Sequence, residues 1–442
     1  MASSMLTIGA SGAKAARAAL DVTAQNIANA SSEGYVRRGV TLTEVSAANG
    51  VGRIADLSFS GVRVSGISRF ADAFRQGELR RTTSDAARAG AELEGLRNVE
   101  SALEQSNLFS AIVEFEGALQ QLATDPVDPS LRAAVLGAAE NMANGFNLAA
   151  NSLDAVGETL RFETGAEVSE ANIYAGELAR INTRLLRVGE GTADRATLLD
   201  QRDGLLEKLS GLADVATDFD THGRVTVAIG GETLVTGNQA GTLSLAANAD
   251  GTLGYALGGN AITLKGGALA GRALALEEVA RNVAALDSLA DDMAASLNAV
   301  QAGGVALDGS SGQPLFSGSG AAGLRLALAN GAGLATAPAG VGAGSRDGAN
   351  LVALRDALAS GKVADRMNGL IFDISNVVAG REVTSEALNA IASAARTSFL
   401  DQAGVDLEQE AANLVRYQQA FQASGRVIQV ASDIFDTILG IR

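Results

Sequence analysis

The chain contains no cysteine, no tryptophan, one histidine and four prolines in 442 residues. Without thiols there is no disulfide framework and no thiolate nucleophile. With one histidine, zinc sites and a Ser-His-Asp relay are almost excluded. Aromatic residues make up 4% of the chain, so a core must be built from Ala, Leu and Val, which suits closely packed helices. Positive charge is also short: 34 basic residues face 50 acidic ones, a formal charge of −16. That balance argues against nucleic acid, which needs a basic footprint, and against an anionic membrane surface. No apolar run approaches the ~18 residues that would span a bilayer. The opening MASSMLTIGASGAKAARAAL lacks the charged-then-apolar layout of a cleaved secretory signal. The expectation is a cytoplasmic chain, or one exported by a route that uses no such signal.

What is present is hydrophobic periodicity, in a chain that is 47% hydrophobic. Leu407, Leu414, Phe421, Ile428 and Phe435 recur every seven residues, with Ala411, Tyr417, Ala431, Ile438 and Leu439 at the half-steps. A weaker seam at the other end runs through Leu6, Ala13, Leu20 and Ile27, with Ala16 and Thr23 between. A lone helix cannot bury its own apolar stripe. The two end helices are therefore expected to pair with each other, with neighbouring subunits, or with both. Val415, Val427, Val430 and Ile434 widen the last stripe, which favours more than one partner.

Between the ends the pattern alternates. Helical spacing covers 4–30, with Gly9 and Gly12 as soft spots, and a turn is expected at Gly34. Residues 37–70 alternate in the manner of a hairpin about Asn49-Gly50. Helical spacing returns over 72–123, and the two Asp-Pro pairs at 125–129 separate it from a long stretch over 130–188 with a polar break. A shorter helix follows at about 195–211. Residues 215–268 read as a small all-β unit, 272–302 as helix, and 303–349 as glycine-rich loop with a strand or two. Helix returns at about 350–359 and from 383 onward, with a break at Gly404. The predicted fold is mainly α with a small β part. Residues 1–36 with 405–442 would form a discontinuous terminal-helix coiled coil. Residues 37–211 with 271–404 would form a helical rod domain that includes the hairpin, and 212–270 an outer all-β unit.

Candidate chemical sites have plainer readings. Gly318–Gly323 fits G-x-G-x-x-G, but it sits in a glycine-rich loop without the required strand-to-helix context. His222 reads as a solvated turn residue, and Asp291-Asp292 as part of a solvated helix face. No catalytic residue, cofactor or metal is expected. The heptads at 142–160 and 279–300 read as an intramolecular bundle.

Four segments carry a resemblance. Gln25 to Arg37, with Asn26, Ile27, Asn29, Gly34 and Tyr35, resembles the N-I-A-N-x-x-x-x-G-Y motif of the bacterial flagellar axial proteins of rod, hook and hook-associated type. Leu198, Leu199, Asp200, Gln201, Arg202 and Asp203 resemble the L-L-D-Q-R-D segment of the hook-associated protein 1 family. Asn298–Gly304 with Pro314-Leu315-Phe316 is similar to that family's helix-to-loop segment, although Gln301 stands where many members have His. Residues 404–442 are similar to the family ending. The resemblance implies a non-enzymatic subunit of the hook–filament junction, exported unfolded through the flagellar type III apparatus with a chaperone. Its terminal helices would fold on incorporation, into a ring or tube of copies that meets hook protein and hook-associated protein 3. Another axial protein (hook-associated protein 3, or a hook or rod component) is the near alternative. A soluble enzyme or binding protein using the 303–349 loop is the distant one.

Overall fold

The structure is a computed structural model that describes residues 2–47 and 58–440, with side chains described within 4–45 and 61–437. The expected turn at Asn49-Gly50 lies outside the described residues, as does the side chain of Ile438.

Helix α1 (Ala2–Ala28) leads into an antiparallel hairpin, β1 (Arg38–Ala47) with β2 (Ser58–Arg69). Asp72 opens α2 (Ala73–Gln105) by accepting from the amides of Phe74 and Arg75. The single helical run expected over 72–123 is two helices. Asn107 takes a left-handed φ of 51°, and α3 (Leu108–Leu122) starts behind it. Leu108, Ile112, Phe115, Leu119 and Leu122 form one buried stripe on α3. Asp128 accepts from the amides of Ser130 and Leu131, and Pro129 occupies the first helical position of α4 (Pro129–Leu185), where a missing N–H costs nothing. No polar break interrupts α4. Across that stretch Thr164 is fully buried, its hydroxyl bonded to Leu160 O, and Glu163 and Glu167 pair with Arg272. The polar residues there face partners, so the ladder continues.

Helix α5 (Ala193–Leu212) is capped by Thr192. A four-stranded antiparallel sheet follows in the order β3 (Val215–Phe219), β4 (Val225–Ile229), β5 (Glu232–Thr236), β6 (Gln239–Ala240). A separate sheet holds β7 (Leu243–Ala247), β8 (Leu253–Leu257) and β9 (Asn260–Ile262). Helix α6 (Gly267–Ala302) buries Leu276, Val279, Leu286, Met293 and Leu297. The glycine-rich stretch holds β10 (Gly304–Val305) paired with β13 (Ala337–Pro338), and β11 (Phe316–Ser317) paired with β12 (Arg325–Leu326) around the short α7 (Gly320–Gly323).

Helix α8 (Ala349–Gly361) stops at Lys362, which is left-handed at φ 51°. Helix α9 (Val363–Ala403) begins there, twenty residues before the expected start at 383. The buried Met367, Ile374 and Val378 show the helical spacing that the polar residues between them obscure. The expected break at Gly404 is present. Asp406 caps α10 (Leu407–Gly440) by accepting from the amides of Glu408 and Gln409.

The chain is mainly helical with a few small sheets, as the periodicity predicts. Packing groups the residues differently from the three expected segments. One unit comprises Met1–Ser84, Glu170–Leu243 and Asn389–Arg442, the other Asp85–Ser169 and Ser244–Leu388. The stretch 212–270, expected as one β unit, forms two sheets, with β3–β6 in unit 1 and β8 and β9 in unit 2. The residues of α2, α4 and α9 are shared between the units.

Unit 2 has one large core drawn from α2, α3, α4, α6, α8 and α9, with Phe115 edge-on to Phe316 at 6.3 Å. Within it Arg132 is 1% exposed and, among the described residues, has no carboxylate partner. It donates to Pro126 O (2.6 Å), Gly331 O (3.0 Å), Leu334 O (2.8 Å) and Thr336 Oγ1 (2.7 Å). Burial lowers its pKa from the ordinary guanidinium value. Gln301 Nε2 donates to Gly333 O, and Asn298 Oδ1 accepts from the amides of Leu315 and Phe316. The glycine-rich segment is thus held by buried side chains gripping main chain.

Candidate assembly interface

In unit 1, α1 and α10 pack along each other. The pairing is close because α1 has no side chain at the points of contact. A Cβ at Gly9 would lie 2.9 Å from Ile428 Cγ1 and 3.3 Å from Ser424 O, and one at Gly12 would lie 2.8 Å from Ser424 Oγ. These glycines are contact points within an unbroken helix, whereas the sequence alone reads them as weak spots. The buried side chains on α1 are small: Ala15, Ala16, Ala19, Val22, Thr23 and Asn26. On α10, Glu410 and Ala431 are buried, while Leu414, Tyr417, Ser424 and Ile428 are half-buried.

The expected seam residues sit at the margin of this contact. Leu6, Ala13, Leu20, Ile27, Leu414 and Ile428 are half-buried. Leu407, Phe421 and Phe435 remain 54%, 43% and 49% exposed, and Val415, Val430, Ile434, Met5 and Ile8 are exposed with them. Pairing within the chain therefore leaves these apolar side chains of both helices exposed among the described residues.

The two motif segments meet beneath this pair. Asn26 is 1% exposed. Its Nδ2 donates to Arg38 O (2.9 Å), and its Oδ1 accepts from Arg38 N (3.0 Å) and from the Tyr35 hydroxyl (2.8 Å). One amide thereby ties the end of α1 to the start of β1. The chain returns through Gly34, whose φ of +73° few side-chain-bearing residues adopt. Asn29 works locally, donating to Gln25 O and accepting from Ser32.

Arg38 and Arg69 stand directly opposite each other in the β1–β2 register, so both side chains leave the same face of the hairpin and would repel there. Asp200 resolves this by accepting from Arg38 and Arg69, each at 2.7 Å. Asp203 takes a second bond from Arg69 (2.8 Å), one from Gln76 Nε2 (2.8 Å) and two from Arg202. Arg202 also stacks over Phe219 at 4.5 Å, and Arg38 over Tyr35 at 4.9 Å.

Burial pushes Asp203 upward, but Arg202 and Arg69 prevail and hold it below the usual carboxylate range. At Asp200 burial prevails over Arg69 and Arg38, and its pKa is raised. Burial also raises the Tyr35 phenol. Leu198 is buried beside this clasp and Leu199 half-buried, but Gln201 is exposed and its side chain makes no bond among the described residues. The sequence reading missed Arg38, Arg69 and Gln76. The available signal was a pair of arginines at matching hairpin positions, which need anions, with two aspartates in a separate helix to supply them.

The other candidates take structural roles. His222 is exposed in a turn where Asp220 Oδ1 accepts from the amides of His222 and Arg224. The amides of Gly320 and Ala321, where a dinucleotide phosphate would sit, donate to Asp291 and Asp287. Among the described residues there is no group of three or more His, Cys, Asp or Glu that could hold a metal ion. Nor, among them, is any helix long and apolar enough to cross a membrane.

Residues 93–316, which contain the L-L-D-Q-R-D helix, match the model of the flagellar hook-associated protein FlgK helical domain. The chain belongs to the FlgK family. Residues 6–35 match the flagella basal body rod protein family, and 396–441 the C-terminal model of the flagellar basal body rod FlgEFG proteins. Flagellar hook-associated protein 1 of Salmonella typhimurium is 30% identical over 335 residues, covering 71% of this chain and 59% of the relative. This FlgK-family chain thus spans 59% of that relative's length. Flagellar hook-associated protein 1 of Bacillus subtilis is 25% identical, with 96% of this chain and 95% of the relative covered. In fold the chain resembles the flagellar hook junction protein FlgK from Burkholderia pseudomallei, with a TM-score of 0.65 at 16% identity, covering 72% of this chain and 98% of that one.

Proposed function

We propose that this FlgK-family chain is a non-catalytic structural subunit of the bacterial flagellum at the junction of hook and filament, and that it joins copies of itself through α1 and α10. The observation that carries the proposal is the apolar face which the α1–α10 pair leaves exposed, through Leu407, Phe421, Val430 and Phe435. Burying such side chains between subunits is favourable at roughly 25 cal/mol per Å² of apolar surface. Contacts between unlike surfaces allow a ring or short tube to grow, and such a layer would meet hook protein on one side and hook-associated protein 3 on the other. The same face is an aggregation hazard before assembly, which gives an export chaperone something to cover.

The rod-family matches at both ends keep a second reading in view, another axial component of rod or hook type. The hook-associated match over 93–316 favours the junction.

Deletion of residues 405–442 tests the proposal, because the unit 2 core contains none of them. The expected result is a chain whose unit 2 core remains protected from hydrogen exchange and which does not assemble. Assembly of the truncated chain, measured by sedimentation, would refute the role given to α10. Binding of the full chain to hook ends rather than to filament ends alone distinguishes the junction reading from its rival.

A further inference from the structure

Unit 1 contains an open cleft of about 1070 Å³. The end of α1 and the turn after it form one wall, with Gln25, Asn29 and Tyr35, while α4 and α5 form the other, with Arg184, Gln201 and Lys208. Its charges are unevenly used. Glu177 pairs with Arg180 and Glu207 with Arg396, and Asp200 is spent on the clasp. Arg184 and Lys208 are exposed and make no side-chain bond within the described residues; the same holds for the amides of Gln25 and Gln201. Glu33 is the unpaired acid on the lip. The cleft therefore presents two unpaired cations against one unpaired acid, with the Gln25 and Gln201 amides able to donate beside them. Charge-assisted bonds to carboxylates would satisfy them.

Acidity is concentrated elsewhere in the molecule. Of the 50 acidic and 34 basic residues, unit 2 holds 27 and 13, so −14 of the formal −16 lies there and −2 in unit 1. Two unit 2 surfaces repel each other, whereas the cationic side of the unit 1 cleft attracts one.

We propose that the cleft seats an acidic helical surface of unit 2 from a second copy of this chain. This makes a head-to-tail contact between unlike surfaces, the kind that propagates around a ring. The inference rests on the reading of this chain as a self-assembling subunit and names the contact that orders the copies. The apolar α1–α10 face supplies adhesion, and the cleft supplies direction.

The test places a photo-cross-linking amino acid at Gln201, which is exposed and bonded to nothing, in the full chain. That chain is mixed with an isotopically heavy copy under conditions where sedimentation shows association. The expected products join residue 201 of one copy to a peptide from 85–169 or 244–388 of the other. In parallel, Arg184→Glu combined with Lys208→Glu should weaken association at least tenfold at low salt, with the difference shrinking as salt screens it. Cross-links only to unit 1 peptides, or unchanged association of the reversed variant, overturn the cleft assignment while leaving self-assembly intact. Absence of association at every concentration and salt overturns both this contact and the assembly reading beneath it.

Discussion

Gly9 and Gly12 occupy the same stretch of α1, yet the structure predicts opposite outcomes when they acquire side chains. In an isolated helix each Gly→Ala change should stabilise by about 1 kcal/mol through helix propensity alone. At Gly12 little opposes that gain. A new Cβ meets only the Ser424 side chain, its Oγ at 2.8 Å and its Cβ at 3.6 Å, and the hydroxyl can rotate away by giving up one exposed bond to Ala420 O. Gly12→Ala is therefore expected to stabilise the α1–α10 pair by about 0.5–1 kcal/mol. At Gly9 the Cβ would meet Ile428 Cγ1 at 2.9 Å and the backbone oxygen of Ser424 at 3.3 Å, and main chain cannot step aside. Overpacking a close contact costs roughly 1–3 kcal/mol, more than propensity returns, and Gly9→Leu should destabilise the pair by about 1–2 kcal/mol. The two variants then differ by roughly 2 kcal/mol, about a thirtyfold ratio in opening equilibrium. Hydrogen exchange of the α10 amides in the dilute full chain measures this directly, because it reports local opening without requiring the whole chain to unfold cooperatively. Slowed exchange in both variants would refute the close contact and return the two glycines to mere weak points of a helix.

Arg132→Met should destabilise unit 2 by about 3–5 kcal/mol, because three buried acceptors and one half-buried acceptor lose their donor. Arg132→Lys should not rescue it, since one ammonium cannot reproduce the fork; a lysine variant with wild-type unfolding would refute this. Asp203 is held below the usual carboxylate range, so its stabilisation is complete above the unfolded-state carboxylate pKa of about 4 and is lost as pH falls through the lower folded value. The stability gap between wild type and Asp203→Asn, read from denaturant midpoints of unit 1, should be constant near neutrality and close in acid; a gap independent of pH would contradict the assignment. Phe421→Asp should weaken association roughly thirtyfold, the effect of a hot-spot residue of about 2 kcal/mol, while leaving unit 2 folded. Sedimentation equilibrium measures the loss, and undiminished association would remove α10 from the interface.

The helices were legible where apolar spacing was regular. The α3 stripe and the α6 seam needed only their periodicity, and the hairpin and sheets needed only alternation with glycine punctuation. What escaped was decided by single residues or by distant partners. Asn107 and Lys362 take left-handed backbone without being glycine, so neither the α2–α3 break nor the start of α9 could be read from turn composition. The polar middle of α4 resembles an interruption until Arg272 is seen pairing with Glu163 and Glu167. The motif residues could be found in sequence, but not their purpose, because Asn26 and Asp200 act on Arg38 from opposite directions and only the fold brings them together. The row Leu407 to Phe435 identified the right helix. It did not reveal the intramolecular contact, since α1 presents glycine and alanine there and such small residues carry little weight in a hydrophobic pattern.

The grip of Arg132 falls on main-chain carbonyls at residues 331 and 334, and every amino acid carries one. The anchor at these two positions therefore does not depend on their side chains, although Leu334 is itself buried in the unit 2 core. Position 331 is constrained in another way, because a Cβ there would lie 2.7 Å from that of Arg132. Position 132 itself has no such latitude: with Gln301 and Asn298, it holds the segment from a helix remote in sequence.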